Sequence, residues 1–231
     1  MNENSKNNFS GQDYNETEIK RIDRNYILEE IREAFSFQKG FMFTIKELAV
    51  NPGDSVKEFI KNDRKRLVKP VLFIVFTSLI YSILKSFLWL EFDNIVNSGN
   101  ENSAIFKMLI WTQENYGYSN IIMAIFIGFW IRLFFRKYKY NIFEILVLLC
   151  FVMGFGMLIF SVFAVVEAIM NQVIVQIAGI FVYIYTSWAI GQFYGKRKVI
   201  NYIKAFFAYF LGMVTFGILL ISIGLTIDLL N

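Results

Sequence analysis

Hydrophobic and polar positions are divided unevenly along this chain, with helical periodicity and polar runs up to about residue 70 and long apolar stretches beyond it. Five such stretches can be marked, at about 71–90, 118–135, 145–165, 173–194 and 205–229. Each is close to the roughly 17 to 25 residues that a helix needs to cross a ~30 Å hydrocarbon core. The pattern predicts an all-α, polytopic membrane protein with five transmembrane helices. The second stretch is the weakest, because Arg132 interrupts its end.

Ahead of the spans, residues 1–18 carry one basic residue, Lys6, against Glu3, Asp13, Glu16 and Glu18, a charge of −3. With little to bury, residues 1–20 are expected to be a disordered acidic tail, and without an apolar core they do not read as a signal peptide. From 21 to 37 the residues Ile22, Tyr26, Ile27, Ile31, Ala34 and Phe35 recur at helical spacing and predict an amphipathic helix. A second is predicted over 41–50, ended by Asn51-Pro52-Gly53. Ser55-Val56-Lys57-Glu58 reads as a capping box that starts a third short helix through Ile60. Residues 21–70 thus form a juxtamembrane segment, and 71–231 a five-helix domain.

Charge adds sides to this picture. Lys57, Lys61, Arg64, Lys65, Arg66 and Lys69 stand against Glu58 and Asp63, a local charge of +4 that suits anionic headgroups at about 1 kcal/mol per cation near the surface. Arg132, Arg136, Lys137 and Lys139 follow the second stretch, and Lys196, Arg197, Lys198 and Lys204 follow the fourth. The alternate loops hold Glu91, Asp93, Glu101 and Glu114 against Lys107, then only Glu167. By the positive-inside rule the N-terminus is cytoplasmic and the C-terminus outside. Within the first outer loop, 104–111 is apolar enough to lie along the interface.

Composition agrees and excludes some chemistry. Hydrophobic residues make up 56% of the chain and aromatic residues 18%, outside the soluble range, while a net charge of +4 gives no reason to expect nucleic acid as a partner. There is no histidine, and the single cysteine, Cys150, lies inside an apolar run. The common metal sites, disulfide frameworks and histidine bases are therefore not expected, and no cofactor is. No glycine-rich phosphate cradle with its lysine is found either, and Gly154-Phe155-Gly156 reads as a packing or kinking site.

Polar residues inside the spans are the remaining candidates for chemistry. Ser78, Tyr81, Ser82 and Lys85 fall on one stripe, as do Gln176, Gly179, Tyr183 and Thr186. Ala208, Gly212, Thr215, Ser222 and Thr226 form a small-residue seam. Lys85 is expected either to pair with Glu167 or Asp228 or to snorkel to the outer interface. Arg132 and Glu144 flank the inner basic loop as anchors.

The stretch FSFQKGFMFTIKELAVNPGDSVKEFIKNDRKRLVKP resembles the membrane family known as domain of unknown function 3667, through Gly40, Phe41, Thr44, Glu47, Leu48, Pro52, Gly53 and Pro70. Tyr140-Asn141-Ile142-Phe143-Glu144 and Phe193-Tyr194-Gly195 with Lys204 look similar to further family pieces. The chain lacks the cysteine-rich zinc ribbon with which many members begin, and has Ile145 where members usually carry histidine. The resemblance implies a multi-pass protein of the bacterial inner membrane and no agreed activity. The function expected is that of a non-enzymatic membrane accessory or scaffold that forms homo-oligomers through its small-residue seams and engages a cytoplasmic protein partner. An antiviral-defence accessory of the type VI-B CRISPR class is one version. The alternative is a channel or small transporter with a passage lined by Lys85 and Gln176.

Overall fold

A computed structural model describes residues 38–88, 103–170 and 174–230. The acidic tail and the amphipathic helix predicted over 21–37 lie outside the described residues, which are helical throughout apart from short connections. In chain order the helices are α1 (38–50), α2 (Pro52–Lys61), α3 (Pro70–Phe87), α4 (Ala104–Glu114), α5 (Tyr116–Phe134), a 3-10 turn at Arg136–Tyr138, α6 (Ile142–Met170), α7 (Val175–Gly195) and α8 (Val199–Leu230).

Prolines set the early boundaries. Pro52 and Pro70 each occupy the first turn of a helix, where the missing N–H is no loss. Lys69, before Pro70, is held extended at φ −55° and ψ 129°. The early start of α2 corrects the capping box expected at Ser55. α2 already begins at Pro52, so Ser55 lies within the helix and its hydroxyl donates to Glu47 Oε2 at 2.7 Å.

Four helices, α3, α5, α6 and α8, are long and apolar enough to cross a membrane. α7 falls where the fourth of five spans was predicted and has 21 residues, but Gln176, Thr186, Ser187 and Gln192 dilute its apolar character. α6 is the central helix, with 61% of its apolar window buried against 17% for α8. It packs against α3, α5 and α7, while α8 covers α4, α5 and α7. Phe73 and Ile74 of α3, Leu148 and Phe151 of α6, and Ile190 and Phe193 of α7 are fully buried at the centre of this packing.

Small residues decide how closely the helices approach. A Cβ on Gly154 would lie 2.8 Å from the Phe73 ring, so α3 sits directly on α6 there, in keeping with the packing role expected of Gly154-Phe155-Gly156. A Cβ on Gly212 would come within 2.5 Å of the Ile127 backbone, which fixes α8 against α5. The seam expected to join copies of the chain is therefore partly used inside it. Ala208 and Gly212 are buried, and Ser222 and Thr226 remain exposed with their hydroxyls bonded to their own helix.

Candidate functional site

The helices before the first span form a platform seated on one end of the bundle. α1 and α2 diverge at Asn51, and four aromatic rings tie them down in sequence. Phe41 of α1 lies 5.5 Å from Phe73 of α3, Phe73 lies 5.8 Å from Phe151 of α6, and Phe151 lies 5.2 Å from Phe59 of α2, centroid to centroid. Leu48 and Val56 are fully buried beneath the two helices. Such ring pairs add to the burial of their area.

Polar groups fix the register. The Gly53 N–H donates a buried hydrogen bond of 2.6 Å to Gln192 Oε1 of α7, and Tyr185 of α7 donates its hydroxyl to the Leu48 carbonyl at 2.9 Å. Any Cβ on Gly53 would overlap the α7 backbone at residues 192 and 193. The Thr44 hydroxyl, fully buried, donates to the Gly40 carbonyl at 2.8 Å and accepts the Val68 N–H at 3.1 Å. That pair joins α1 to the stretch leading into α3. A buried donor or acceptor without such a partner would cost about 1–3 kcal/mol.

Part of the basic collar is consumed by this seating. Arg66 donates to Glu47 Oε2 at 2.8 Å, the oxygen that also accepts from Ser55, and its other terminal nitrogen pairs with Glu58. Lys61 sits 5.7 Å above the Tyr140 ring and Lys57 sits 5.8 Å above the Phe193 ring, both measured to the centroid. Burial lowers the Lys57 pKa below the ordinary lysine value; Asp54, 4.0 Å away, opposes this, while Lys61 and Lys196 add to it. Lys196, just after α7, pairs with the other Asp54 oxygen. Arg64, Lys65 and Lys69 point outward and are exposed. Of the six cations expected at the membrane surface, these three are the freely presented ones, together with the exposed apolar residues Met42 and Phe43 of α1.

The polar residues expected inside the spans have several kinds of partner. Lys85 holds its ammonium 5.5 Å from the centroid of the Tyr116 ring. Glu167 accepts the Ile174 N–H at 3.0 Å, next to the start of α7. Asp228, at the far end of α8, accepts from the Ser103 hydroxyl at 2.8 Å and from the Ala104 N–H at 2.6 Å. Its carboxylate therefore caps α4, where the free N–H groups and the helix dipole favour an anion. Gln176 is exposed near the start of α7. A cavity of about 290 Å³ does open between the helices, lined in part by Asn120, Met123, Met153, Met157, Gly179 and Met213, but its walls include neither Lys85 nor Gln176.

Sequence reasoning passed over Gln192 and Tyr185, which hold the platform. One signal was present, a glutamine in the otherwise apolar run Trp188-Ala189-Ile190-Gly191-Gln192-Phe193. A polar side chain there has to find a partner or face water.

These features define the chain as an all-helical bundle with four helices long and apolar enough to cross a membrane, one whose motif-bearing segment is a structural cap on the bundle. Residues 38–82 match the model of the family described as Protein of unknown function (DUF3667). The match contains every one of the eight motif positions from Gly40 to Pro70, and the resemblance read there is shown for that segment; the similar pieces around Tyr140 and Phe193 lie beyond it. No curated protein and no solved structure matches the chain.

Proposed function

We propose that this chain is a non-enzymatic membrane accessory that crosses the bacterial inner membrane five times, N-terminus inside, and presents residues 38–69 to a cytoplasmic protein partner. The observation that carries the reading is the seating of α1 and α2 on α7. A segment that served only as a tether would not need a buried Gly53–Gln192 bond or an aromatic ladder into the central helix. Rigid presentation lowers the ordering cost that a partner must meet.

α7 supplies the fifth crossing in this reading. Its 21 residues span roughly 31 Å at 1.5 Å per residue, and its polar side chains are largely turned inward, with Thr186, Ser187 and Gln192 all buried. Five crossings also put every arginine- and lysine-rich connection on one side. The docked pairs Asp54–Lys196 and Lys61–Tyr140 support this, since they join the platform to the same basic end of α5 through α8.

The test is site-specific photo-crosslinking in native membranes from Lys65 on the platform and from Leu109 of α4 at the opposite end. A discrete protein adduct from Lys65 and none from Leu109, abolished when Gly53→Trp unseats the platform, is expected. Adducts that persist unchanged in Gly53→Trp, or that arise equally from both positions, would overturn the proposal.

A further inference from the structure

The basic end of the bundle also contains a cleft of about 500 Å³ beside the platform, lined by Arg132, Arg136 and Lys139. The local backbone gathers these three cations. α5 ends at Phe134, and the 3-10 turn Arg136–Tyr138 reverses the chain. Lys139 takes the left-handed conformation at φ 56°, rare for a residue with a side chain, and α6 begins at Ile142. Among the described residues none of the three cations forms an ion pair, and all three are exposed. The acidic residue of this turn, Glu144, is occupied differently. It accepts the Asn141 N–H at 2.8 Å while the Asn141 side chain accepts the Glu144 N–H at 2.8 Å, a reciprocal cap for α6.

A second observation concerns the wall of the same cleft. Tyr194 lines it and is only 3% exposed, yet its hydroxyl has no hydrogen-bond partner. Its ring is fixed by stacking on Phe135, with centroids 3.9 Å apart, and by the edge-on ring of Tyr140 at 5.7 Å. A buried hydroxyl without a partner is uncommon and costly, and the three unpaired cations that line the same cleft select the kind of group that would settle there, an anion with several acceptor oxygens. Arginine matches the oxygens of a phosphate in paired hydrogen bonds.

We propose that this cleft is a phosphate-binding site. The shared chemistry is a phosphate monoester or diester. An anionic lipid headgroup is the source that the geometry favours, because the wall continues through Phe129, 62% exposed, and Leu133, 43% exposed, onto the apolar flank of α5, where acyl chains would lie. The proposal relies on the topology above only for the leaflet that supplies the lipid. Binding itself is measured without reference to sides, so a failed topology and a failed site are distinguishable.

The experiment is native mass spectrometry of the full-length protein released from nanodiscs containing equal amounts of phosphatidylglycerol and phosphatidylcholine. Thermal stability with inorganic phosphate against chloride is measured in parallel. Wild-type protein is expected to retain phosphatidylglycerol over phosphatidylcholine, with retention falling about tenfold in R132Q/R136Q and roughly three- to tenfold in Y194F. R197Q/K198Q, which removes the same charge from the neighbouring exposed connection, is expected to leave it within about twofold. Stabilisation by inorganic phosphate that Y194F abolishes, without lipid preference, would uphold the site and assign it to a soluble phosphate compound. Equal losses in the two double variants would overturn the proposal, as diffuse attraction, and so would the absence of both lipid preference and phosphate stabilisation. Should R132Q/R136Q not fold, Y194F decides, since it removes one hydroxyl and nothing else.

Discussion

Gly53 and Gln192 stand 139 positions apart and meet through a 2.6 Å hydrogen bond from the backbone N–H of one to the side-chain oxygen of the other. The contact is possible because glycine lets the start of α2 lie against the α7 backbone. It anchors the segment that carries the family motif.

Substitution at either partner should loosen the platform. Gly53→Val forces a side chain into backbone and is expected to cost about 1–3 kcal/mol. Gln192→Leu leaves a buried N–H unpaired and is expected to cost a similar amount. The readouts are melting temperature in detergent and cleavage rate by added protease after Lys61. Cleavage no faster than in wild type would show that α1 and α2 are not held as described.

The Glu47–Arg66 pair is half-buried and shared with Ser55 and Glu58, so it should be coupled beyond an ordinary surface pair. Glu47→Gln and Arg66→Gln together should destabilise less than the sum of the two singles, with an interaction energy of about 1 kcal/mol. A double-mutant cycle on thermal stability measures this. Strict additivity would remove Arg66 from the platform and return it to the solvated collar.

Gly212 and Gly217 of α8 provide an internal contrast. A Cβ at Gly212 meets the Ile127 backbone, whereas one at Gly217 meets nothing within 4 Å. Gly212→Leu should cost about 1–3 kcal/mol through separation of α5 from α8, and Gly217→Ala should be near neutral. Thermal melts of the two variants, side by side, check the packing of α8.

Lys57 should give the platform a pH response. Its pKa in the folded chain is lowered, chiefly by burial, so the unfolded chain holds more protons between that lowered value and 10.5. Stability contributed by this residue therefore rises as pH increases through that window and is absent below it. Lys57→Met keeps the contact with Phe193 and removes the titrating group. The rise in melting temperature between neutral and alkaline pH should be smaller in Lys57→Met than in wild type, and an identical rise would exclude the residue as its source.

The apolar runs, by themselves, determined where the helices lie. Those predicted at 71–90, 118–135, 145–165, 173–194 and 205–229 correspond to α3, α5, α6, α7 and α8, because the length of an apolar stretch is a local property. Boundaries shifted where polar residues continue a helix beyond its apolar part, as at Val199–Lys204 of α8. The motif positions were also legible, but their work was not. Gly53 reads in sequence as a turn residue, and only the packing of α2 on α7 reveals it as a contact with Gln192. Likewise the capping box at Ser55 obeyed a local rule, and lost to Pro52 starting the helix earlier and to Glu47 accepting the Ser55 hydroxyl. The tertiary structure also decided that Asp228 caps α4 and that Tyr194, its hydroxyl unsatisfied, lines one cleft with three cations. Charge and hydropathy are written residue by residue, whereas a hydrogen bond between positions more than a hundred apart exists only once the helices that carry them have packed.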